Sequence, residues 1–452
     1  MPRTEASEQK PKDVFFLPPP RWRWARVVGW RPLFLWLLCG LASTLPSRAT
    51  SGEMRRVRIS DDKRAFILEE TGSTFVPWGF NYDHDERGRL LEDYWDAEWH
   101  KVEEDFREMK ELGANIVRIH LQLGKFMREP HKPNDASLDR LTRLTRLAER
   151  LHLYLDLTGL GCYHKKDVPR WYDDLSEKRR WDVQSRFWEA IAGRCAKSPA
   201  IFCYDLMNEP VVPGGPRKPR EWLGPAFAGK HFVQFITLDP GDRPRAAIAR
   251  QWVQHLTAAI RKHDRDHLIT VGLVPWSLDR PGLTSGFVPE KIVGELDFLS
   301  VHLYPEKSGL DKAMKTLKGF SLGKPVVIEE MFPLKCPLPE FEQFVDESQA
   351  IAAGWIGFYW GRTPQECRRS TELRDALMLG WLQFFKKKAD TIKRQRLRDS
   401  SSTRSRSRRG MLLPFADSGT LRLRRPGLVG WQSVSGKSGG NNAGFHSKRE
   451  VS

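Results

Sequence analysis

Eight near-continuous apolar runs recur through the middle of this chain, and most are separated by stretches with helical spacing. They fall at residues 75–81, 115–121, 153–157, 200–208, 267–273, 297–304, 324–330 and 354–360. Strands buried on both faces have this character, because a parallel sheet is covered on each side and cannot alternate with solvent. Eight such strands, each followed by a helix, close into a (β/α)8 TIM barrel. An open doubly wound sheet would place a Gly-rich phosphate turn after its first strand, and none follows residue 81. The expected class is therefore α/β, a (β/α)8 barrel.

The intervening segments support that reading. Trp99, Val102, Phe106, Met109 and Leu112 recur at three and four residues before Gly113. Leu138, Leu141, Leu144, Leu147 and Leu151 form a second stripe. Further helices are expected over 176–196, 246–262, 311–317, 340–353 and 372–385, with no clear long helix between residues 273 and 297. Residues 55–59 and 65–68 flank Asp61-Asp62 and suggest a small N-terminal hairpin ahead of the first core strand. The domain is thus expected to span 51–385.

Charge locates the ends. The net charge of +17 divides into +5 for residues 1–50, +13 for 386–452 and −1 for 51–385. A basic-patch argument for nucleic-acid binding by the body therefore fails. Residues 21–50 pass from basic to apolar to small, the order of a secretory signal peptide, though displaced from the start of the chain. Export from the cytoplasm (secreted or periplasmic) is the expectation, with a short membrane anchor as the alternative. Residues 386–452 are rich in Ser, Arg and Gly without apolar periodicity and read as a disordered tail. Of six cysteines, Cys39 lies in the signal-like segment; the other five are an odd number without metal-ligand spacing. Cys195 and Cys203 read as buried small hydrophobes.

Strand ends carry the chemistry in a parallel barrel. The fourth run ends in Asn208-Glu209-Pro210 and the seventh in Glu329-Glu330. Two carboxylates, each closing its own strand, suit acid–base work on a glycosidic bond. Adjacent strand residues face opposite ways, so one of Glu329 and Glu330 is expected to point into the barrel mouth. Of 17 tryptophans, Trp171, Trp222 and Trp276 fall in loops, while Trp99, Trp188 and Trp252 sit on apolar helical stripes. Flat aromatic faces stack well on pyranose rings, and Trp360 at a strand end is the best candidate for a sugar platform. The Pro- and Gly-rich stretch 211–245 follows the first glutamate and is expected to wall one side of a cleft.

With these residues in order, Arg118 on strand two, Asn208-Glu209 on four, His302 and Tyr304 on six, Glu330 on seven and Trp360 on eight, the body resembles glycoside hydrolase family 5. That family comprises retaining cellulases and mannanases. The resemblance implies Glu209 as general acid and base and Glu330, in preference to Glu329, as nucleophile. It further implies that Asn208 binds a sugar hydroxyl, Arg118 and Tyr304 hold Glu330, and His302 positions Glu209 or substrate. Two departures stand out. Strand three ends in Thr158-Gly159-Leu160-Gly161 with His164 further on, where the family often has a histidine, and Met331-Phe332 replaces an aromatic-Gly pair. The implied reaction is retaining hydrolysis of a β-linked glycan, β-1,4-glucan or mannan, by a monomer needing no metal or organic cofactor. Transglycosylation and a carbohydrate-binding pseudoenzyme are the alternatives.

Overall fold

The structure, a computed structural model, describes residues 53–409 except Tyr359. Residues 1–52 and 410–452, with the signal-like segment and most of the basic tail, lie outside the described residues. Eight parallel strands close a barrel. They are β1 (Trp78–Tyr82), β2 (Ile116–Gln122), β3 (Tyr154–Gly161), β4 (Ile201–Asn208), β5 (Leu268–Leu273), β6 (Leu299–His302), β7 (Val326–Met331) and β8 (Gly354–Gly357). The ring runs β5-β6-β7-β8-β1-β2-β3-β4, so β4 and β8 stand opposite each other. Around it lie α1 (Trp99–Glu111), α2 (Asp135–Leu151), α3 (Glu177–Cys195), α4 (Arg245–Arg261), the short α5 (Pro289–Ile292), α6 (Leu310–Gly319), α7 (Leu338–Ser348) and α8 (Leu373–Arg409).

The helical stripes read from sequence face inward. Val102, Phe106 and Met109 on α1, and Leu138, Leu141, Leu144 and Leu147 on α2, are buried against the strands. Trp99, Trp188 and Trp252 are core residues, as their spacing suggested. Cys162, Cys195, Cys203, Cys336 and Cys367 are all buried free thiols.

Two boundaries differ from the expectation. The run 75–81 divides at Val76-Pro77. Thr74–Phe75 pairs with Phe66–Leu68, which pairs with Val57–Ile59, so the hairpin becomes a three-stranded sheet. Pro77 has no backbone N–H to offer a ladder, and the barrel strand starts just after it. Phe66 and Phe75 from this sheet meet Phe202, 5.0 and 5.9 Å between ring centroids, and close the N-terminal end of the barrel. The carboxyl ends of the strands lie at the other side.

The second difference is the end of the domain. Instead of stopping at Phe385, α8 continues to Arg409, so the expected disordered tail is helical where it is described. Phe385 stacks on Phe80 at 3.8 Å and on Trp78 at 4.6 Å. One turn on, Lys388 is buried and paired with Asp346 at 2.7 Å, and Ala389 and Ile392 are buried too. The basic composition hid this extension, because only one face of the helix needs to be apolar. A chain ended after Phe385 should lose about 2–5 kcal/mol of stability relative to one ended after Arg409, the usual cost of vacating a buried aliphatic site. Urea unfolding of both checks this, and equal midpoints would show that the extension does not pack.

Candidate active site

The centre of the barrel is organised by a buried guanidinium. Arg118, on β2, is fully buried. Its Nη1 donates to Glu330 Oε1 at 2.7 Å and to Asn81 Oδ1 at 2.8 Å. Its Nη2 donates to Asp205 Oδ2 at 2.7 Å and Asn208 Oδ1 at 3.0 Å. Glu329 lies 3.7 Å away. One cation thus ties together β1, β2, β4 and β7.

Glu330 receives a second donor, Tyr304 Oη, at 2.7 Å from its Oε2. Burial pushes the Glu330 carboxyl above its usual range, while His302 and Arg118 pull it back. Both carboxyl oxygens accept from donors, the pattern an ionised acceptor-only group requires. His302 lies between the acids: its Nδ1 is 3.0 Å from Glu209 Oε1 and 3.5 Å from Glu330, and its Nε2 is 3.4 Å from Glu329. Burial alone would lower its pKa, but Glu330, Glu209 and Glu329 outweigh that and raise it to about 10. His302 is therefore an imidazolium in the neutral range.

Glu209, Glu330 and His302 each present an atom within 4.8 Å of the others. Such a triad has metal-ligand composition, and its members already pair with one another, His302 Nδ1 lying 3.0 Å from Glu209 and 3.5 Å from Glu330. Glu209 keeps part of its side chain in solvent, 19% against 7% for Glu330. It follows β4 in the left-handed region, φ 48°, a conformation that costs a non-glycine residue about 1–2 kcal/mol. Its N–H donates to the Gly272 carbonyl at 3.0 Å, fixing this turn against β5.

The structure corrects the alternation assumed for Glu329 and Glu330. On β7, Ile328 faces Trp355 but Met331 faces Gly357, and Val301 faces Ile328 while His302 faces Glu330. One extra residue on β7 breaks the two-residue period, the mark of a β-bulge. Both carboxylates consequently turn toward Arg118. Glu330 stands at the mouth, and Glu329, 0% exposed, lies beneath it.

Below the mouth, Glu329, Asp205 and Asp156 are all buried, each with an oxygen within 4.8 Å of the others. Burial and the neighbouring Glu329 push Asp156 well above the usual carboxylate range. Glu329 is held low against its burial by Arg118 and His302. Repulsion within the cluster is thus set against two neighbouring cations, Arg118 and His302, and falls most heavily on Asp156.

Sequence reasoning missed a second supporting chain. Asn81 Nδ2 donates to the carbonyls of Glu329 (2.9 Å) and Gly357 (3.3 Å). Its Oδ1 therefore accepts both from Arg118 and from His120 Nε2 at 3.1 Å. Burial and Arg118 keep His120 neutral, so its Nδ1 accepts from the Tyr163 hydroxyl. The spacing Arg118-x-His120 on one inward strand face was the available signal. Tyr163 and His120 occupy the β3 side of the mouth. His164 instead lines a small surface cleft with Leu90, Lys125 and Val168.

Several expected roles also change. Asn208 is engaged on both sides, its Nδ2 donating to the Phe232 carbonyl at 3.1 Å. Trp360 is 1% exposed and lies edge-on to Phe80 at 5.4 Å, so it is core and offers no face to a sugar. Trp222 is likewise buried, between Tyr172 and Arg180. Trp171 and Trp276 remain half-buried. The aromatic residue beyond β8 that reaches the mouth is Phe358, whose ring lies 6.4 Å from that of Tyr304.

Residues 70–361 match the model of the family described as Cellulase (glycosyl hydrolase family 5). The chain is similar to mannan endo-1,4-beta-mannosidase A of Podospora anserina, at 25% identity over 221 residues, covering 43% of this chain and 50% of the relative. Its fold is similar to an exo-beta-1,4-mannosidase from Opitutaceae bacterium strain TAV5, with TM-score 0.56, 17% identity and coverage of 75% of this chain and 63% of that one. It is also similar to an endo-1,4-beta-mannanase from Eisenia fetida, with TM-score 0.52, 14% identity and coverage of 68% and 90%. The chain thus spans half of the curated relative and under two thirds of the Opitutaceae protein. At such identities the structural likeness speaks for the fold, whereas the family match takes in well over half of the chain. This chain belongs to glycosyl hydrolase family 5.

Proposed function

We propose that this protein is a retaining β-glycosidase that hydrolyses a β-linked glycan by double displacement. The observation that carries the reading is that Glu209 and Glu330 face each other across the mouth, an oxygen of each within 4.8 Å of the other's and His302 Nδ1 within 3.5 Å of both. Retaining enzymes hold their carboxyl groups about 5–5.5 Å apart and inverting enzymes about 6.5–9.5 Å, and one histidine nitrogen shared by both acids fits the closer spacing. Glu330, oriented by Arg118 and Tyr304, attacks the anomeric carbon. Glu209, in its protonated form, gives its proton to the leaving oxygen. In the second step Glu209 takes a proton from water, which displaces Glu330 and restores the free enzyme. His302, bonded to Glu209 and near Glu330, adds positive charge where the two acids would otherwise repel.

The mannanase names among the relatives and the cellulase family description support β-1,4-linked mannan or glucan as the substrate class. All the groups invoked come from one chain, which supports action as a monomer. The signal-like order of residues 21–50 supports export. Among the described residues, no helix is long and apolar enough to cross a membrane. Transglycosylation would use the same two acids and is distinguished by its products. A purely binding role is disfavoured, since neither acid is lost.

Glu209→Gln is expected to lower kcat on β-mannan or β-glucan oligosaccharides by about 10²–10⁴-fold, the usual contribution of a positioned acid. Glu330→Gln should abolish turnover. Activity surviving in either variant would reassign the roles. Tyr304→Phe removes one bond to a charged acceptor and should cost about 10–100-fold in kcat.

His302 yields a pH expectation. Its folded pKa, about 10, lies above the ordinary value of 6.5, so its stabilising contribution is complete below about 6.5 and lost as pH rises through 10. Wild-type melting temperature should therefore fall more steeply between those values than that of His302→Gln. Parallel profiles would show that His302 is not held as an imidazolium.

A further inference from the structure

Two aromatic rings meet across the barrel mouth. Phe358 directly follows β8, and its N–H donates to the Met331 carbonyl at 2.8 Å. Phe232 belongs to the segment 211–245 and is anchored at the opposite side of the ring. Its carbonyl accepts from Asn208 Nδ2 at the end of β4. Its neighbours are tied down as well. The His231 N–H donates to the Tyr163 carbonyl at 2.9 Å, Gln234 Nε2 donates to the Leu160 carbonyl at 2.8 Å, and Pro210 and Val211 pair with Gln234 and Phe235. From these opposed anchors, the Phe232 and Phe358 rings approach edge to face, 6.2 Å between centroids and 87° between planes. That is a packed aromatic contact. Phe232 also meets Tyr163 at 5.0 Å, and Phe358 meets His84 at 6.5 Å.

The contact divides the mouth in two. On the β1–β3 side, Asp83 and His120 are each 1% exposed, Tyr163 0% and Lys230 4%, while His84 keeps 13% of its side chain in solvent. Asp83 Oδ2 has no hydrogen-bond partner there. On the β4–β7 side, Glu209, Trp276 and Tyr304 remain partly in solvent. Glu209 and Tyr304, the groups at the reacting centre that stay partly in solvent, thus lie on this second side, where a sugar chain has room to extend. Glu209 protonates the leaving oxygen, and it lies on the open side, so the leaving part of the chain is the part with room. The retained sugar abuts the closed side.

We propose that the Phe232–Phe358 bridge determines specificity by closing the cleft beyond the retained sugar, making this a chain-end enzyme that releases short units from the non-reducing end. This rests on the glycosidase reading and deepens it. The test uses the full chain on β-1,4-mannohexaose and cellohexaose labelled with ¹⁸O at the reducing end, beside soluble mannan and glucan polymers followed by viscosity. The expected result is unlabelled mono- or disaccharide appearing together with the labelled penta- or tetraose remainder and no other early products, with reducing ends rising while viscosity holds. Phe232→Ala and Phe358→Ala, made separately in case one fails to fold, should each raise the share of internal cleavage about tenfold.

Early viscosity loss by the wild type with a mixture of product lengths would overturn the inference and leave the glycosidase reading intact. Labelled short products would overturn the assigned direction. No cleavage of any of these glycans would overturn the glycosidase reading itself.

Discussion

A single guanidinium, sealed inside a barrel and shared among several acids, is the constraint on which the rest of this structure depends. Arg118 touches Glu330, Asp205, Asn208 and Asn81 at hydrogen-bond distance and has Glu329 close by. Burying ions is expensive, and mutual attraction offsets that cost only when geometry is good and the remaining polar atoms are satisfied. The barrel supplies the first, since closed strands hold the partners rigidly and the amide of Asn81 is bonded on both sides; the second is incomplete, because Arg118 Nε and the carboxyl oxygens of Asp156 and Glu329 have no hydrogen-bond partner among the described residues. Taking away one partner would leave an uncompensated buried charge, which typically costs about 3–5 kcal/mol. Stability and site geometry are therefore the same set of bonds. The surplus of negative charge raises the Asp156 carboxyl well above its usual range and is offset by the charge on His302.

The reacting groups sit where regular structure is broken. One extra residue in β7 lets consecutive glutamates both turn to Arg118. Glu209 occupies a left-handed backbone conformation just before a proline, where the chain leaves β4. Strain of this kind persists only where surroundings over-determine it. Here the Gly272 carbonyl and the short pairing of Pro210 with Gln234 do so. The same pairing fixes the segment that carries Phe232, so the acid and the wall of its cleft are positioned together.

Much of this was legible in the sequence. Strands buried on both faces leave near-continuous apolar runs, and helices packed on them leave stripes at three and four residues, so the barrel was readable without coordinates. Asn208, Glu209, His302, Tyr304 and Glu330 were visible as polar residues at or near the ends of apolar runs and Arg118 as a charge within one, and the structure brings all six together. What failed did so for definite reasons. A bulge adds a residue without any compositional mark, so strict alternation misplaced Glu329. Trp360 ends the eighth run as the sugar platform was expected to, yet packing turned it inward, and Phe358 reaches the mouth instead. The α8 extension hides its apolar face, Ala389 and Ile392, among lysines and arginines. The aromatic bridge depends on a contact between residues 232 and 358, and no local pattern encodes a meeting of that range.

The stereochemistry of the first-formed sugar tests the central claim most directly, because it reports the spacing of the two acids. Proton NMR of an aryl β-glycoside digest, recorded before mutarotation, should show the β-anomer appearing first, as two successive displacements through Glu330 require. Initial release of the α-anomer would mean that water attacks in a single step. The short separation of Glu209 and Glu330 would then be the wrong description of the working enzyme.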